Sequence, residues 1–321
     1  MRQTLSQIGA IAGLTLLEIL RQPVCFLLSL FTVSFIGLLP FVISHTLGEA
    51  QKIVLDSALA VLLMGGLVTS TYAACHSLSR EIQRGTVAAV LAKPVGRAGF
   101  LLAKYLGAAT YMLVYALAGS VAILVTSRTA SDPYQVDMWS GGILLAAPVA
   151  GCALAGLINF FTRRPFPSSA FVCITLSVLA AAAIAGFVDA EGHAQAFGTG
   201  YRWGVLPSCA LLALAILVLQ AFAILLATRL EATPALVVCS VVFLGGLMSD
   251  HLFGRFAAES RVADTLWRLT PNWQHFWTAD WLVADGAVPW THVGNCAGYA
   301  LLYVVGLLLI ACWLFRQIEV R

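Results

Sequence analysis

Long apolar runs separated by short polar turns set the pattern of this chain. A bilayer core takes about 20 apolar residues per helix. That ruler predicts spans at Val24–Ile43, Ile53–Ala74, Gly99–Val125, Trp139–Phe161, Ser169–Val188, Val205–Ala227, Pro234–Ser249 and His292–Phe315. The seventh run is the shortest. An even number of crossings puts both termini on one side. Outside the runs lie an amphipathic lead-in over residues 1–22, a polar segment at 79–97 and a long aromatic loop at 250–291. The expected fold is a single all-α polytopic membrane domain over residues 1–321 with about eight transmembrane helices.

Composition closes off the soluble alternatives. Hydrophobic residues make up 60% of the chain and charged residues only 10%, against roughly 45–50% and 25% in soluble domains. So few charges cannot cover a soluble surface of this size, which excludes a cytosolic enzyme. A net charge of +3 gives no reason to expect nucleic acid as a partner; membrane lipid is the expected surroundings. Twelve basic residues fall on the side of the N-terminus, and three, Lys52, Arg128 and Arg202, fall in short loops on the other. Arg255, Arg261 and Arg268 share the long loop. This positive-inside bias predicts a multi-pass protein of the plasma (inner) membrane with both termini cytoplasmic. Glu18 and Arg21 interrupt the N-terminal region, and no A-x-A site follows the first apolar run, so no secretory signal is expected.

Chemistry-bearing patterns are sparse. The eight cysteines include no CxxC pair and mostly sit in apolar runs, so they read as small buried hydrophobes rather than metal ligands. No metal site and no cofactor is expected. The dipeptide Gly-Lys never occurs, which excludes a Walker-type phosphate loop. Asp56, Asp189, Asp250, His76 and His292 lie near span ends, so no deep carboxylate marks a proton path. Ser249-Asp250-His251 would point about 100° apart on a helix and could not converge as a triad. Residues 162–173 and 228–239 form a weak repeat, each a short basic turn with proline between two apolar runs. Ala147, Gly151 and Ala155 make a small-residue ridge, with Pro148 beside it, suited to helix packing inside the subunit. Gly65-Gly66 and Gly245-Gly246 permit close backbone approach.

Residues 79–97 are the most informative stretch. Gly85 punctuates the chain, Thr86 can cap a new helix, and Pro94 ends it about two turns later. Val87, Val90 and Leu91 share one face at i, i+3, i+4 spacing. Arg80, Glu81 and Arg84 precede the helix; Lys93 and Arg97 follow. Such a helix can dock into a groove of a partner or lie on the inner leaflet.

This segment resembles the ABC type-2 permeases, the membrane subunits of one class of ATP-driven exporters. The family pattern is an acidic residue, G/R-T, a leucine, K-P-x-x-R and a K-Y-L-G-like start of the third span. It is met at Glu81, Gly85-Thr86, Leu91, Lys93-Pro94, Arg97 and Lys104-Tyr105-Leu106-Gly107. Residues 16–23 resemble the family's amphipathic lead-in, and Pro271-Asn-Trp-Gln-His-Phe276 resembles its P-N-L-x-x-F motif. The resemblance implies a non-catalytic permease subunit that moves cargo with ATP hydrolysed on a separate ABC ATPase subunit. It also implies a second permease subunit, identical or similar. Residues 79–97 would then be the coupling element, with Glu81, Arg84, Gly85, Thr86, Val87, Val90, Leu91, Pro94 and Arg97 as the partner-coupling set. Glu81 is the acid expected to meet a basic residue of the partner. Such permeases usually have six spans, so eight implies an extra hairpin, and nothing is carried over between residues 127 and 227. The competing class is an integral membrane enzyme or assembly factor with no ATPase.

In the long loop, Trp273, Trp277 and Trp281 recur every fourth residue, with Trp267 and Trp290 flanking. On a helix they would share a face, and tryptophan favours the headgroup level. The spacing predicts an outer interfacial helix over 273–281, anchored by these three; the resemblance also permits the alternative that this element covers the outer mouth of a translocation path.

Overall fold

Apolar stretches that cannot hydrogen-bond to lipid must satisfy their backbone internally, and helices do so. The computed structural model describes residues 2–43, 49–83, 96–131, 135–256, 260–278 and 288–317. Among these, no strand forms; the only bridge joins Val188 and Ala194. The helices are α1 (Arg2–Leu20), α2 (Pro23–Val42), α3 (Ala50–Ala74), α4 (Arg97–Thr129) and α5 (Met138–Thr162). They continue with α6 (Phe166–Phe187), α7 (Leu206–Ala227), α8 (Ala232–Leu247), α9 (Arg261–Leu269) and α10 (Trp290–Arg316). Seven of the helices are long and apolar enough to cross a membrane. The chain is a multi-pass helical membrane protein.

The predicted spans match α2 to α7 and α10, with two differences in length. Helix α3 continues through a π-turn, Cys75–Ser79, and a last turn, Arg80–Gln83. Helix α4 has 33 residues. Both exceed the hydrocarbon core and carry their polar ends beyond it.

The seventh predicted span departs further. Helix α8 has 16 residues, about 24 Å at 1.5 Å per residue, short of a core about 30 Å thick. The chain then bends by 71° into residues 249–256. Asp250 accepts from Trp267 Nε1 at 2.8 Å and from Asn272, so this stretch organises the loop.

The 273–281 helix does not form through the described residues. Trp273–His275 is a single 3-10 turn, capped by Asn272, whose Oδ1 accepts from Gln274 N–H at 2.9 Å. Trp273 is buried rather than interfacial, packed on Phe243 and Phe276 and seated against the bare backbone of Gly246. Trp277 is half-buried, and Trp281 lies outside the described residues. The physical reason is that the loop folds back over the bundle. Asn272 N–H donates to Tyr299 Oη, Gln274 donates to the Leu247 carbonyl, and Ser208 bonds Thr278. These tertiary bonds outweigh the period-four pattern.

Helix α4 is the most enclosed span and α10 the least. Helix α1 packs on α4, with Thr15 against the bare backbone of Gly107, while Leu14 and Leu17 stay exposed. The ridge in α5 packs on α6: a Cβ at Gly151 would lie 2.7 Å from Ile174 Cα. Both repeated segments form tight interhelical turns at one end of the bundle, where Arg21, Arg80, Lys104, Arg97 and Arg229 also gather; we term it the basic end.

Candidate functional site

At the basic end, one lysine organises three helices. Lys104 is buried although charged. Its Nζ meets Glu81 Oε1 at 2.9 Å, Glu18 Oε2 at 3.4 Å and the Ser77 carbonyl at 3.1 Å. A buried ammonium needs such compensation, because desolvation costs several kcal/mol. Glu18 comes from α1, Glu81 and Ser77 from the end of α3, and Lys104 from α4. Burial lifts the Glu18 carboxyl above its usual range, opposed by the charge of Lys104. The snorkelling geometry open to a lysine near a span end is thus replaced by an internal ion cluster.

The cluster stands at the root of the 79–97 segment. Glu81 therefore has an intramolecular cation as well as its expected role toward a partner. At the other end of the segment, Arg97 opens α4 and donates to the Arg316 carbonyl at 2.7 Å. Arg229 donates to the neighbouring Leu314 carbonyl, so two cations cover the C-terminal carbonyls of α10, where positive charge is favoured. Arg84, Gly85, Thr86, Val87, Val90, Leu91 and Pro94 lie outside the described residues.

Sequence reasoning missed a second polar layer deeper in the bundle. Tyr111 Oη bonds Ser29 Oγ at 2.8 Å and donates to the Cys25 carbonyl; Tyr115 Oη bonds Thr32 Oγ1 and donates to the Leu62 carbonyl. Gly65 makes room for the Tyr115 hydroxyl, since a Cβ there would lie 2.4 Å from it. The i, i+4 tyrosine pair was the available signal. Gln220 is fully enclosed in α7 with no protein partner for its amide among the described residues. At the opposite end, Arg128 belongs to the last turn of α4, not to a loop. It pairs with Asp137 at 3.2 Å and donates to the Ala185 and Val188 carbonyls. It thereby fastens the C-terminus of α6 to α4 beneath Tyr201. Burial pushes the Tyr201 hydroxyl up to about 12.

Among the described residues, no group of three or more histidine, cysteine or acidic side chains could hold a metal ion. Comparison with family models gives no match, and neither does comparison with curated proteins.

Proposed function

We propose that this chain is the transmembrane permease subunit of an ABC-type exporter, driven by a separate ATPase subunit and paired with a second permease. The reading takes eight spans, counting the bent α8 with residues 249–256 as one, with both termini cytoplasmic in the inner membrane. It treats this as a six-span core plus a hairpin. The observation that carries it is the anchoring of the motif-bearing segment at both ends. Glu81 is tied through Lys104 to α1 and α4, and Arg97 is tied to the end of α10. A push on residues 84–95 would therefore reach four helices rather than a slack loop. Coupling also requires that the ATPase bind two permease conformations with different affinity.

Affinity purification of the tagged full-length protein from its native membrane tests this. Recovery of a stoichiometric subunit carrying a Walker phosphate loop supports the reading. A complex that forms reproducibly without any nucleotide-hydrolysing subunit would favour the enzyme or assembly-factor class.

A further inference from the structure

The chain between α8 and Trp273 reaches the middle of the bundle, not its end. Tyr303 is the middle residue of α10, which runs from Trp290 to Arg316 at the basic end. Its hydroxyl bonds the Arg268 carbonyl at 3.1 Å and the Thr270 carbonyl at 3.3 Å. At 1.5 Å per residue, Tyr303 lies about 20 Å from either end of α10. Helix α8 gives a similar depth independently. It leaves the basic end, where Glu231 meets Gln83, and stops about 24 Å on at Leu247. There Gln274 donates to the Leu247 carbonyl, and Asn272 donates to Asp250. A hydrocarbon core is about 30 Å thick, so α8 breaks inside it. The chain gains the far end only by Thr278, which bonds Ser208 in the first turn of α7.

Residues on either side of the break are amphipathic. Met248, Leu252 and Phe256 expose an apolar row, and Val262 and Leu266 expose another on α9. Arg261, Thr265 and Arg268 share a different side of α9 at i, i+4, i+7 spacing. All three are exposed, as are Asp250 and Arg255. The apolar rows suit lipid, but the charged side does not. Mid-core is about 15 Å from either surface, beyond the reach of an arginine side chain. Charges at such depth face protein or water, and irregular backbone there is tolerated only inside protein or along a water-filled cavity. Asp264 takes Arg268 at 2.9 Å, and Asp250 receives Trp267 Nε1 and the Asn272 amide. Among the described residues, no protein covers the exposed side of these groups. Water is the surrounding that fits it.

We propose that the polar side of residues 250–268 lines an aqueous cleft that opens at the end opposite the basic end and reaches the middle of α10. The cleft stands on depth and exposure. Its use rests on the permease reading: there it is the last stretch of the cargo path, so that cargo meets water halfway across the membrane. A broken crossing helix at mid-depth is a general way to build such a path.

Cysteine accessibility in a cysteine-free, full-length protein tests this. Arg268→Cys and Thr265→Cys lie on the polar side. Leu302→Cys lies next to Tyr303, at the same depth on the exposed apolar side of α10. Glu191→Cys marks the end at which the cleft opens. A charged, impermeant maleimide is applied to intact cells and to inside-out vesicles. Arg268→Cys and Thr265→Cys should react from the same side as Glu191→Cys. Both should react about tenfold faster than Leu302→Cys or more, because a thiol in hydrocarbon keeps its proton and only the thiolate reacts. Thr265→Cys loses only a hydrogen bond within α9, so its result does not depend on the Asp264–Arg268 pair. Labelling needs no ATPase: reactive Thr265→Cys with no ATPase subunit recovered would keep the cleft and reject only the permease reading. Failure of Thr265→Cys to react from either side, its reaction only from the side of the basic end, or equally fast reaction of Leu302→Cys overturns the inference.

Discussion

Lys104 concentrates the energetics of the basic end in one side chain. Removing one member of a buried ion pair leaves the others desolvated and unpaired, at a cost of about 3–5 kcal/mol. Lys104→Met, which keeps the stem but not the charge, should therefore destabilise the protein by that order in thermal unfolding. A loss below 1 kcal/mol, the range of a solvated surface pair, would contradict the cluster. Glu18 gives a pH signature. Its folded pKa is raised, so the folded state holds this proton more readily than the unfolded state. The sign is that stability at this site rises as pH falls from neutral through the raised value toward the usual 4.5. Wild type should gain stability relative to Glu18→Gln between pH 7 and pH 5; a gap that does not change with pH would contradict it. The sequence made Lys104 and Glu81 visible as charges near span ends. Their pairing was not legible, because 86 and 23 residues separate Lys104 from Glu18 and Glu81 and only the packing of α1, α3 and α4 joins them.

At the scale of elements, hydropathy and tertiary contact divide the outcome. Spans were legible because a bilayer forces each crossing into one long apolar helix. The ends were less so: α3 and α4 run on past their apolar cores, and the ends of apolar runs do not mark where helices stop. The tryptophan period in the aromatic loop misled for a related reason. Every fourth residue is also compatible with a turn whose first tryptophan is swallowed by the bundle, and Phe243 and Gly246 supply that pocket. In a variant retaining only Trp273, fluorescence should respond weakly to aqueous iodide and weakly to lipid-dissolved quenchers. Strong lipid quenching would restore the interfacial helix. The amphipathic role passes to α9, where Val262 and Leu266 are exposed at i, i+4 opposite Arg261, Asp264 and Arg268.

For the molecule as a whole, topology comes before mechanism. Glu191 and Arg164 are exposed at opposite ends of the bundle. In a cysteine-free background, Glu191→Cys should react with an impermeant maleimide from outside intact cells, whereas Arg164→Cys should react only after lysis. Labelling of both from one side would break the alternation between α5 and α7. The proposed permease reading rests on a segment whose two roots, Glu81 and Arg97, the fold ties down. Val90→Asp with Leu91→Asp changes the apolar face expected in that segment and leaves Glu18, Glu81, Lys104 and Arg97 themselves unchanged. The decisive measurement is recovery of the ATPase subunit, and of its stimulated hydrolysis, with this double variant against wild type in the same membranes. The account predicts a normally inserted protein whose ATPase recovery falls by more than about tenfold, the loss expected for an apolar anchor at an interface centre. Equal recovery with equal stimulated hydrolysis would contradict it.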